Sequence, residues 1–203
     1  MNKANAEWRE SDLIVEQMIK GSTGELWGKR LEDTDHFPVL KQAIDLVGNF
    51  ETLLDIGCGA GDVCRVWNGK YIGVDLSWVV ERVSKKCNPL QEYISIDLDS
   101  STVFSLPESR VVLMNAFLDL REDSHDFFES LLKMKYENFI VHRQRLSQNN
   151  SKIEYRKSYG ESTVPSSVMS WERICQSVMQ SNSNSKISLI HWQGDNYTFI
   201  VSR

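Results

Sequence analysis

The sequence predicts an α/β fold, a doubly wound and mostly parallel seven-stranded sheet that closes with a C-terminal antiparallel hairpin. Three observations predict it. Short apolar runs alternate with amphipathic segments between positions 52 and 141, which is the pattern of parallel strands and crossover helices. The first of these runs leads into a loop with three alternate glycines. Near the end, two β-rich runs are joined by Gly194-Asp195, a two-residue hairpin signal.

The predicted elements follow in order along the chain. An amphipathic helix begins after Ser11 and ends at Gly21–Gly24, and Pro38 begins a second helix that stops at Gly48. The polar, Ser- and Asn-rich segment from Gln144 to Ser170 is interpreted as a long loop. Strands are predicted at 52–56, 70–74, 92–96, 110–114, 138–141, 186–193 and 196–201, and crossover helices at 62–67, 78–86 and 126–134.

Composition limits the classes of function. At 203 residues the chain has the size of one domain. Its net charge is −5 and its Lys and Arg residues form no long stripe, so nucleic acid is not an expected partner. No stretch approaches the roughly 18 apolar residues of a membrane span, and the N-terminus lacks a signal-peptide core, so we expect no membrane partner and a cytoplasmic location. The oligomeric state is not predicted.

The cysteines indicate neither a disulfide framework nor a metal site. None of the four has C-x-x-C spacing or a paired His, so we expect reduced thiols and no bound metal. They are Cys58, Cys64, Cys87 and Cys175.

The glycine loop carries the strongest functional signal. Asp55 ends the first strand, and Gly57, Gly59 and Gly61 let the backbone turn sharply and let a ligand approach main-chain atoms. A dinucleotide fingerprint would need glycine at position 62, where this chain has Asp62. An NAD-dependent oxidoreductase is therefore disfavoured, and the antiparallel end of the predicted sheet disfavours it further.

A second carboxylate lies in register with the glycine loop. Asp75 ends the second predicted strand, 18 positions after Gly57, close to the roughly 20-residue offset of an acid that binds ribose hydroxyls. The G-x-G-x-G spacing with an acid two residues before the first glycine resembles motif I of the class I S-adenosylmethionine-dependent methyltransferases. The resemblance implies a Rossmann-like fold with the closing hairpin and S-adenosylmethionine (SAM) as the cofactor.

The resemblance also implies roles for individual residues. Asp55 and the backbone of the loop would hold the methionine part, and Asp75 would accept both ribose hydroxyls, for which an acceptor-only carboxylate is suited. Leu76 and Ile96 would supply the walls of the adenine slot. Asp97, with Leu98 beside it, stands where such enzymes bind the adenine amino group. The full set of cofactor-binding candidates is Asp55, Gly57, Cys58, Gly59, Gly61, Asp75, Leu76, Asp97, Leu98 and Asn115.

The acceptor is less defined. Asn115-Ala116-Phe117-Leu118 occupies the motif IV position but departs from the D/N/S-P-P-Y/F/W signature of enzymes that methylate base amino groups or glutamine amides. Leu118-Asp119-Leu120 stands where many small-molecule enzymes carry L-E-H. A hydroxyl, carboxyl or amine of a small molecule is left open, and we expect O-methylation rather than nucleobase N-methylation.

A hydroxyl acceptor would need a general base. His142, at the end of the fifth strand, and Tyr159, in the polar segment, are the catalytic candidates, with His125 as a weaker one. Arg143 and Arg145 either bind an acidic substrate or lie on a solvated face. Trp8, Trp27 and His36 either form a lid over the cofactor or pack in the core.

We interpret residues 1–203 as a single methyltransferase domain. Residues 1–50 would form N-terminal helices that act as a lid, 51–141 the cofactor-binding core, 142–185 a substrate-side loop and helix, and 186–203 the closing hairpin. Two alternatives stay open: a non-catalytic SAM-binding member of the fold that serves as a partner subunit, and the disfavoured oxidoreductase.

Overall fold

The computed structural model describes residues 12–25, 29–48, 50–158 and 162–203, which contain nine strands in one sheet and six α-helical segments. The strands are β1 (Thr52–Ile56), β2 (Lys70–Asp75), β3 (Glu92–Ser95), β4 (Val111–Asn115), β5 (Asn138–Ser147), β6 (Lys152–Ser158), β7 (Ser162–Ser170), β8 (Lys186–Gln193) and β9 (Asn196–Ser202). The helices are α1 (Asp12–Thr23), α2 (Phe37–Val47), α3 (Ser77–Val79), α4 (Lys85–Cys87), α5 (Ser124–Leu131) and α6 (Trp171–Ser181).

The sheet confirms the predicted fold class. Strands β3, β2, β1, β4 and β5 lie side by side in that order and are parallel, so their carboxyl ends meet at one edge. Strand β9 pairs antiparallel with β5, and β8 pairs antiparallel with β9. These seven strands are the predicted ones, including the closing hairpin.

The prediction of a long loop at Gln144–Ser170 is wrong. Strand β5 runs on to Ser147, and β6 and β7 form an antiparallel hairpin. Strand β7 pairs with β5 through Arg145 and Val168, beyond the point where β4 ends opposite His142. The polar sequence hid these strands because β6 is largely exposed and β7 buries serines as well as apolar residues.

The crossovers are shorter and less regular than the average helix. The predicted helix at 62–67 is a 3-10 turn, Asp62–Arg65, as the short gap between the strands requires. The predicted helix at 78–86 begins as α3, continues through a π-helical segment, Val80–Ser84, and ends as α4. These connections therefore leave only short segments between β1 and β2 and between β2 and β3.

Alternate residues of the central strands face opposite sides of the sheet, and each side has its own apolar cluster. Leu54 packs on the side covered by α5 and α6, with the rings of Phe127 and Phe128. Leu53 packs on the other side with Leu40 of α2. The strands are therefore buried on both faces, which fixes the strand ends as a rigid platform.

Within the ranges given above, none of the helices is long and apolar enough to cross a membrane.

Candidate active site

A cavity of about 570 Å³ lies at the carboxyl ends of β1, β2, β4 and β5, with α1 over part of it. Its volume is in the usual range of small-ligand sites, and its place is where open α/β sheets bind their ligands. Another concavity, of about 590 Å³, lies against α2 between Phe37 and Leu46. We assign the site to the first cavity because polar groups from several strand ends converge only there among these two.

The glycine loop forms one wall of the cavity. Gly57 has a φ of +73°, and a Cβ there would lie 2.1 Å from the Phe117 ring, so the protein's own packing demands glycine. Gly59 has a φ of +54°, and a Cβ there would meet only the flexible end of Met18, at 3.3 Å. Position 59 is therefore where the backbone stays open to the cavity.

Asp75 holds the tip of the glycine loop. One carboxylate oxygen accepts the N–H of Gly59 at 2.9 Å, and the other accepts the N–H of Leu76 at 2.7 Å. Each carboxylate oxygen can accept more than one hydrogen bond, which is what binding two neighbouring hydroxyls requires. Its place at the end of β2, lining the cavity, fits the ribose role implied by the resemblance.

Two buried acceptor atoms at the strand ends lack donors. Asp55 is 1% exposed; one of its oxygens accepts the Tyr71 hydroxyl at 2.6 Å, while Oδ1 has no partner within the described ranges. Burial raises the pKa of this carboxyl to about 7. Asn115 Oδ1 is likewise buried and unpartnered among those residues. An unmet buried acceptor costs about 1–3 kcal/mol, so a ligand donor such as an amino group fits this wall.

The other predicted cofactor residues divide into two groups. Cys58 and Leu76 line the cavity with the residues above. Gly61 is absent from the lining and shapes the turn, with its N–H donating to the Cys58 carbonyl at 2.8 Å. Asp97 is exposed and Leu98 is buried, and neither lines the cavity.

The chain turns away after β3, which explains the position of Asp97. The Ile96 N–H still bonds to the Asp75 carbonyl at 2.9 Å, but the strand ends at Ser95. Arg121 reaches this region instead: it lines the cavity, and its Nη1 donates to the Leu98 carbonyl at 3.0 Å. The implied adenine role of Asp97 gains no support from this geometry.

A histidine pair lies at the other end of the cavity. His142 is 1% exposed and does not line the cavity, so its position does not support the predicted role as the base. It lies behind His36, which lines the cavity; His36 Nδ1 and His142 Nε2 are 3.1 Å apart. On its far side, His142 Nδ1 is 2.7 Å from Thr198 Oγ1.

The charge of Arg143 fixes the direction of this chain of hydrogen bonds. Arg143 Nη1 makes a long contact of 3.4 Å with His36 Nε2, and a guanidinium only donates, so His36 Nε2 is the acceptor. Neutral His36 then donates from Nδ1 to His142, and His142 donates to Thr198. Burial, with Arg143 adding to it, lowers the pKa of His36 to about 4, and burial also lowers the pKa of His142. The single lone pair of His36 Nε2 therefore lies at the cavity wall, directed toward the Arg143 guanidinium.

Among the residues that the structure describes, two that are not glycine have positive φ, one directly after β4 and one within β5. They are Ala116 (φ +51°) and Arg143 (φ +61°), and the Ala116 N–H donates to the His142 carbonyl at 3.0 Å. Arg143 falls where the β5–β9 pairing shifts register. Such backbone costs about 1–3 kcal/mol per residue and is concentrated at functional sites. The bulge turns Arg143 into the cavity, which it lines.

The charged side chains of the cavity separate by sign. Its three carboxylates belong to the glycine loop and the strand ends beside it: Asp55, Asp62 and Asp75. Its five cations come from other segments: Lys29, Arg121, Arg143, Arg156 and Lys157. Of these cations, Arg143 and Arg156 both act on the buried carboxylate of Asp119, and Arg143 contacts His36. We call their part of the cavity the basic end and the part with the three carboxylates the acidic end.

Helix α1 lies over the acidic end. Ile14 and Met18 line the cavity, and the helix is held at both ends: Ser22 donates to Asp62 at 2.5 Å, and Asp12 pairs with Arg82. A lid role for α1 stays a prediction.

Two further candidates, His125 and Arg145, lie outside the cavity lining. His125 bonds to Ser151 at 2.8 Å and is absent from the lining. Arg145 pairs with Glu154 and Asp195, at 2.6 and 2.8 Å. Tyr159, Trp8 and Trp27 lie outside the described residues.

Sequence reasoning missed part of this site. Arg156 and Lys157 line the cavity although their segment was interpreted as a loop; a basic pair in a polar stretch between two strands was the available signal. Met18, Ser22 and Arg121 gave no local signal. His36 was considered as part of a lid and not as a base.

Comparison with solved structures finds proteins of similar fold. The chain is similar to an amino pentose methyltransferase from Micromonospora echinaspora with SAM bound (TM-score 0.58, 10% identity, 87% of this chain and 92% of that chain). It is also similar to a SAM-dependent methyltransferase from Mesorhizobium loti (0.59, 13%, 85% and 100%). A third similar structure is human N-acetylserotonin methyltransferase in complex with SAM (0.64, 13%, 97% and 57%). No protein-family model and no curated protein sequence matches the chain.

These likenesses establish the fold. The chain has the Rossmann-like fold of class I SAM-dependent methyltransferases, as the glycine loop and the closing hairpin predicted.

Proposed function

We propose that the protein is a SAM-dependent methyltransferase that methylates an oxygen atom of a small molecule. The observation that carries the proposal is that one cavity connects the glycine loop and Asp75 to His36 and Arg143, whose side chains contact each other. A cofactor region and an acceptor region in one volume are what direct group transfer requires, because most of the rate gain comes from holding the two reactants together.

The acidic end fits the cofactor. Asp75 would bind the ribose hydroxyls, the backbone at Gly57 and Gly59 would admit the methionine part, and the unpartnered oxygens of Asp55 and Asn115 would accept from its amino group. When bound, SAM would supply a methyl group on a sulfonium, ready for transfer to a nucleophile. The similar structures support this choice, since two of them are described with SAM bound.

The basic end fits an oxygen acceptor. The motif IV segment has Ala116 and Phe117 where enzymes that methylate base amino groups have two prolines, so the planar nitrogen site is not formed in the same way. His36 Nε2 would accept a hydroxyl proton once Arg143 donates to another group, and a planar amide acceptor would not require such a base. The names of two similar proteins, an amino pentose methyltransferase and N-acetylserotonin methyltransferase, support a small-molecule acceptor.

Calorimetry tests the cofactor first. We expect SAM and its product S-adenosylhomocysteine to bind with a one-to-one stoichiometry and NAD to give no heat. Binding of NAD in place of SAM would restore the oxidoreductase alternative and overturn the proposal.

Methyl transfer is tested next, with SAM labelled in its methyl group and sets of small hydroxyl, carboxyl and amine compounds. Label in an ether or ester supports O-methylation, and label on nitrogen contradicts it. Tight SAM binding with no transfer, and with the region of His36 closed to every compound in binding assays, would favour the non-catalytic alternative.

A further inference from the structure

Arg143 differs from the other arginines of the cavity. Arg156 is 2.7 Å from the carboxylate of Asp119, and Arg121 is 2.8 Å from that of Asp123. Arg143 is half-buried, and within the part of the chain that the structure describes no carboxylate lies within 4 Å of its guanidinium. Its one polar side-chain contact there is the long one with His36.

The backbone directs this unpaired cation into the cavity. Arg143 adopts a φ of +61° in the bulge of β5, whereas Arg145, two residues on, pairs with Glu154 and Asp195 outside the cavity. The left-handed backbone thus places in the cavity a guanidinium that has no carboxylate within 4 Å among the described residues. Such a cation can form an ion pair with an anionic ligand.

The surroundings favour an anion over any other ligand group. Arg156 and Lys157 line the same end, and the nearby carboxylate of Asp119 is buried beneath Arg156. Burying part of a charge is costly unless a counter-charge is supplied, and the planar guanidinium fits carboxylate and phosphate groups with two parallel hydrogen bonds.

We propose that the methyl acceptor is an acidic small molecule, whose carboxylate or phosphate group binds Arg143 beside His36. This inference deepens the proposed function and rests on it for the word acceptor. The site itself, an anion site formed by Arg143, stands on the geometry alone.

Anion binding would also prepare the base. The charge of Arg143 opposes protonation of His36, 3.4 Å away, and an anion on Arg143 cancels much of that charge. An anion that takes the Arg143 N–H also frees the single lone pair of His36 Nε2 for a proton. In the balance of the transfer, the hydroxyl proton of the acceptor goes to His36 Nε2, and its oxygen keeps the electron pair that forms the new O–C bond. The sulfur atom of SAM would keep the electron pair of the broken S–C bond.

Histidine NMR tests the site without knowledge of the acceptor. The chain has four histidines, so the ring nitrogen signals can be assigned by substitution. Inorganic phosphate and acetate are the probes, titrated into the protein with and without S-adenosylhomocysteine. We expect a saturable change at the His36 ring nitrogens and a rise in its pKa of about one unit, as an anion near the pair implies. A stronger response to phosphate or to acetate identifies the acid.

The groups that face His36 define the controls. They are Arg143 and His142 from β5, Asp35 from its own segment, and the Trp192 ring of β8, 5.6 Å away. Arg143→Gln should abolish the saturable change, and Arg143→Lys should retain it in part; all three side chains share the same backbone cost. Lys133→Gln removes an exposed charge and should change nothing, and exposed His191 serves as the internal reference.

The outcomes are distinct. No saturable change at His36, or the same change in Arg143→Gln, would mean a general effect of added salt and would overturn the inference. An anion that binds through Arg143 in a protein that does not bind S-adenosylhomocysteine would leave the anion site intact and reject the proposed function. Binding of both supports both.

Discussion

The two ends of the cavity, which we propose bind the cofactor and the methyl acceptor, are formed in different ways. The cofactor end comes from one stretch of chain: the loop after β1 and the end of β2, whose Gly59 and Asp75 are joined by a hydrogen bond across 16 positions. The acceptor end joins His36 to His142 across 106 positions and is completed by the β6–β7 hairpin. The first end is acidic and the second basic.

The difference matches the two ligands that we propose for the cavity. A cofactor with a diol and an amino group needs acceptors, and a short glycine loop with two carboxylates supplies them. The acceptor end instead combines cations with a neutral histidine chain, held by strained backbone at Ala116 and Arg143. The cofactor end is a local sequence motif, whereas the acceptor end depends on contacts between distant segments of this chain.

The largest effect on ligand binding is expected from a substitution at the cofactor end. Gly59→Val should abolish S-adenosylhomocysteine binding, because a β-branched residue is strained at a φ of +54° and its side chain would lie toward Met18 in the cavity. Calorimetry measures the loss, and thermal unfolding checks that the fold is kept.

Gly59→Asn separates the two reasons, since Asn tolerates left-handed backbone but still adds a side chain. Weak binding by both variants indicates blocked approach of the ligand. Normal binding by the Val variant would mean that the loop is only a turn.

The next effect tests the ribose role. Asp75→Asn keeps the size of the side chain but removes its charge, and it should weaken S-adenosylhomocysteine binding by about 1.5–3 kcal/mol, roughly 10- to 150-fold in Kd. Asp45→Asn, on the exposed face of α2, is the matched control. Equal affinities in the two variants would remove Asp75 from the cofactor site.

Opposite pH dependence would sharpen the comparison. The pKa of Asp55 is raised in the fold from 3.8 to about 7, so its contribution to the free energy of unfolding falls as pH rises from about 4 to about 7. The pKa of His36 is lowered from 6.5 to about 4, so its contribution falls as pH drops through that window. Denaturant unfolding from pH 4 to pH 8 measures both.

Each variant should remove the pH dependence of the free energy of unfolding that its own side chain causes. Asp55→Asn should remove the loss toward neutral pH, up to about 4 kcal/mol at 1.36 kcal/mol per pKa unit. His36→Gln should reduce the loss in acid, of which His142 and His125 retain a part because burial lowers their pKa as well. Wild-type curves in both variants would contradict the assignment.

The smallest effect concerns α1 as a lid. Ser22→Ala removes the hydrogen bond to Asp62 and should weaken S-adenosylhomocysteine binding by about 0.5–1.5 kcal/mol, roughly two- to tenfold. Thr23→Ala, which loses only an exposed bond to the Lys20 carbonyl, is the control. An unchanged Kd for Ser22→Ala would mean that the helix covers the cavity without closing it.

Local sequence determined the cofactor end and most of the fold. Apolar runs with fixed length gave the seven core strands, and glycines and carboxylates at set spacing gave Asp55, Gly57, Gly59 and Asp75, because those signals lie within one strand–loop–strand unit. The Gly194-Asp195 turn gave the closing hairpin for the same reason.

Only the tertiary structure decided the acceptor end. The polar β6–β7 hairpin is stabilised by backbone pairing to β5, which leaves little pattern in the side chains. His36 displaces His142 from the cavity because α2 packs against β5, a contact that no spacing encodes. Arg143 reaches the cavity through a bulge of β5, which lies between the last residue paired with β4 and the first residue paired with β7. The register of these neighbouring strands, and not the local sequence, sets the direction of its side chain.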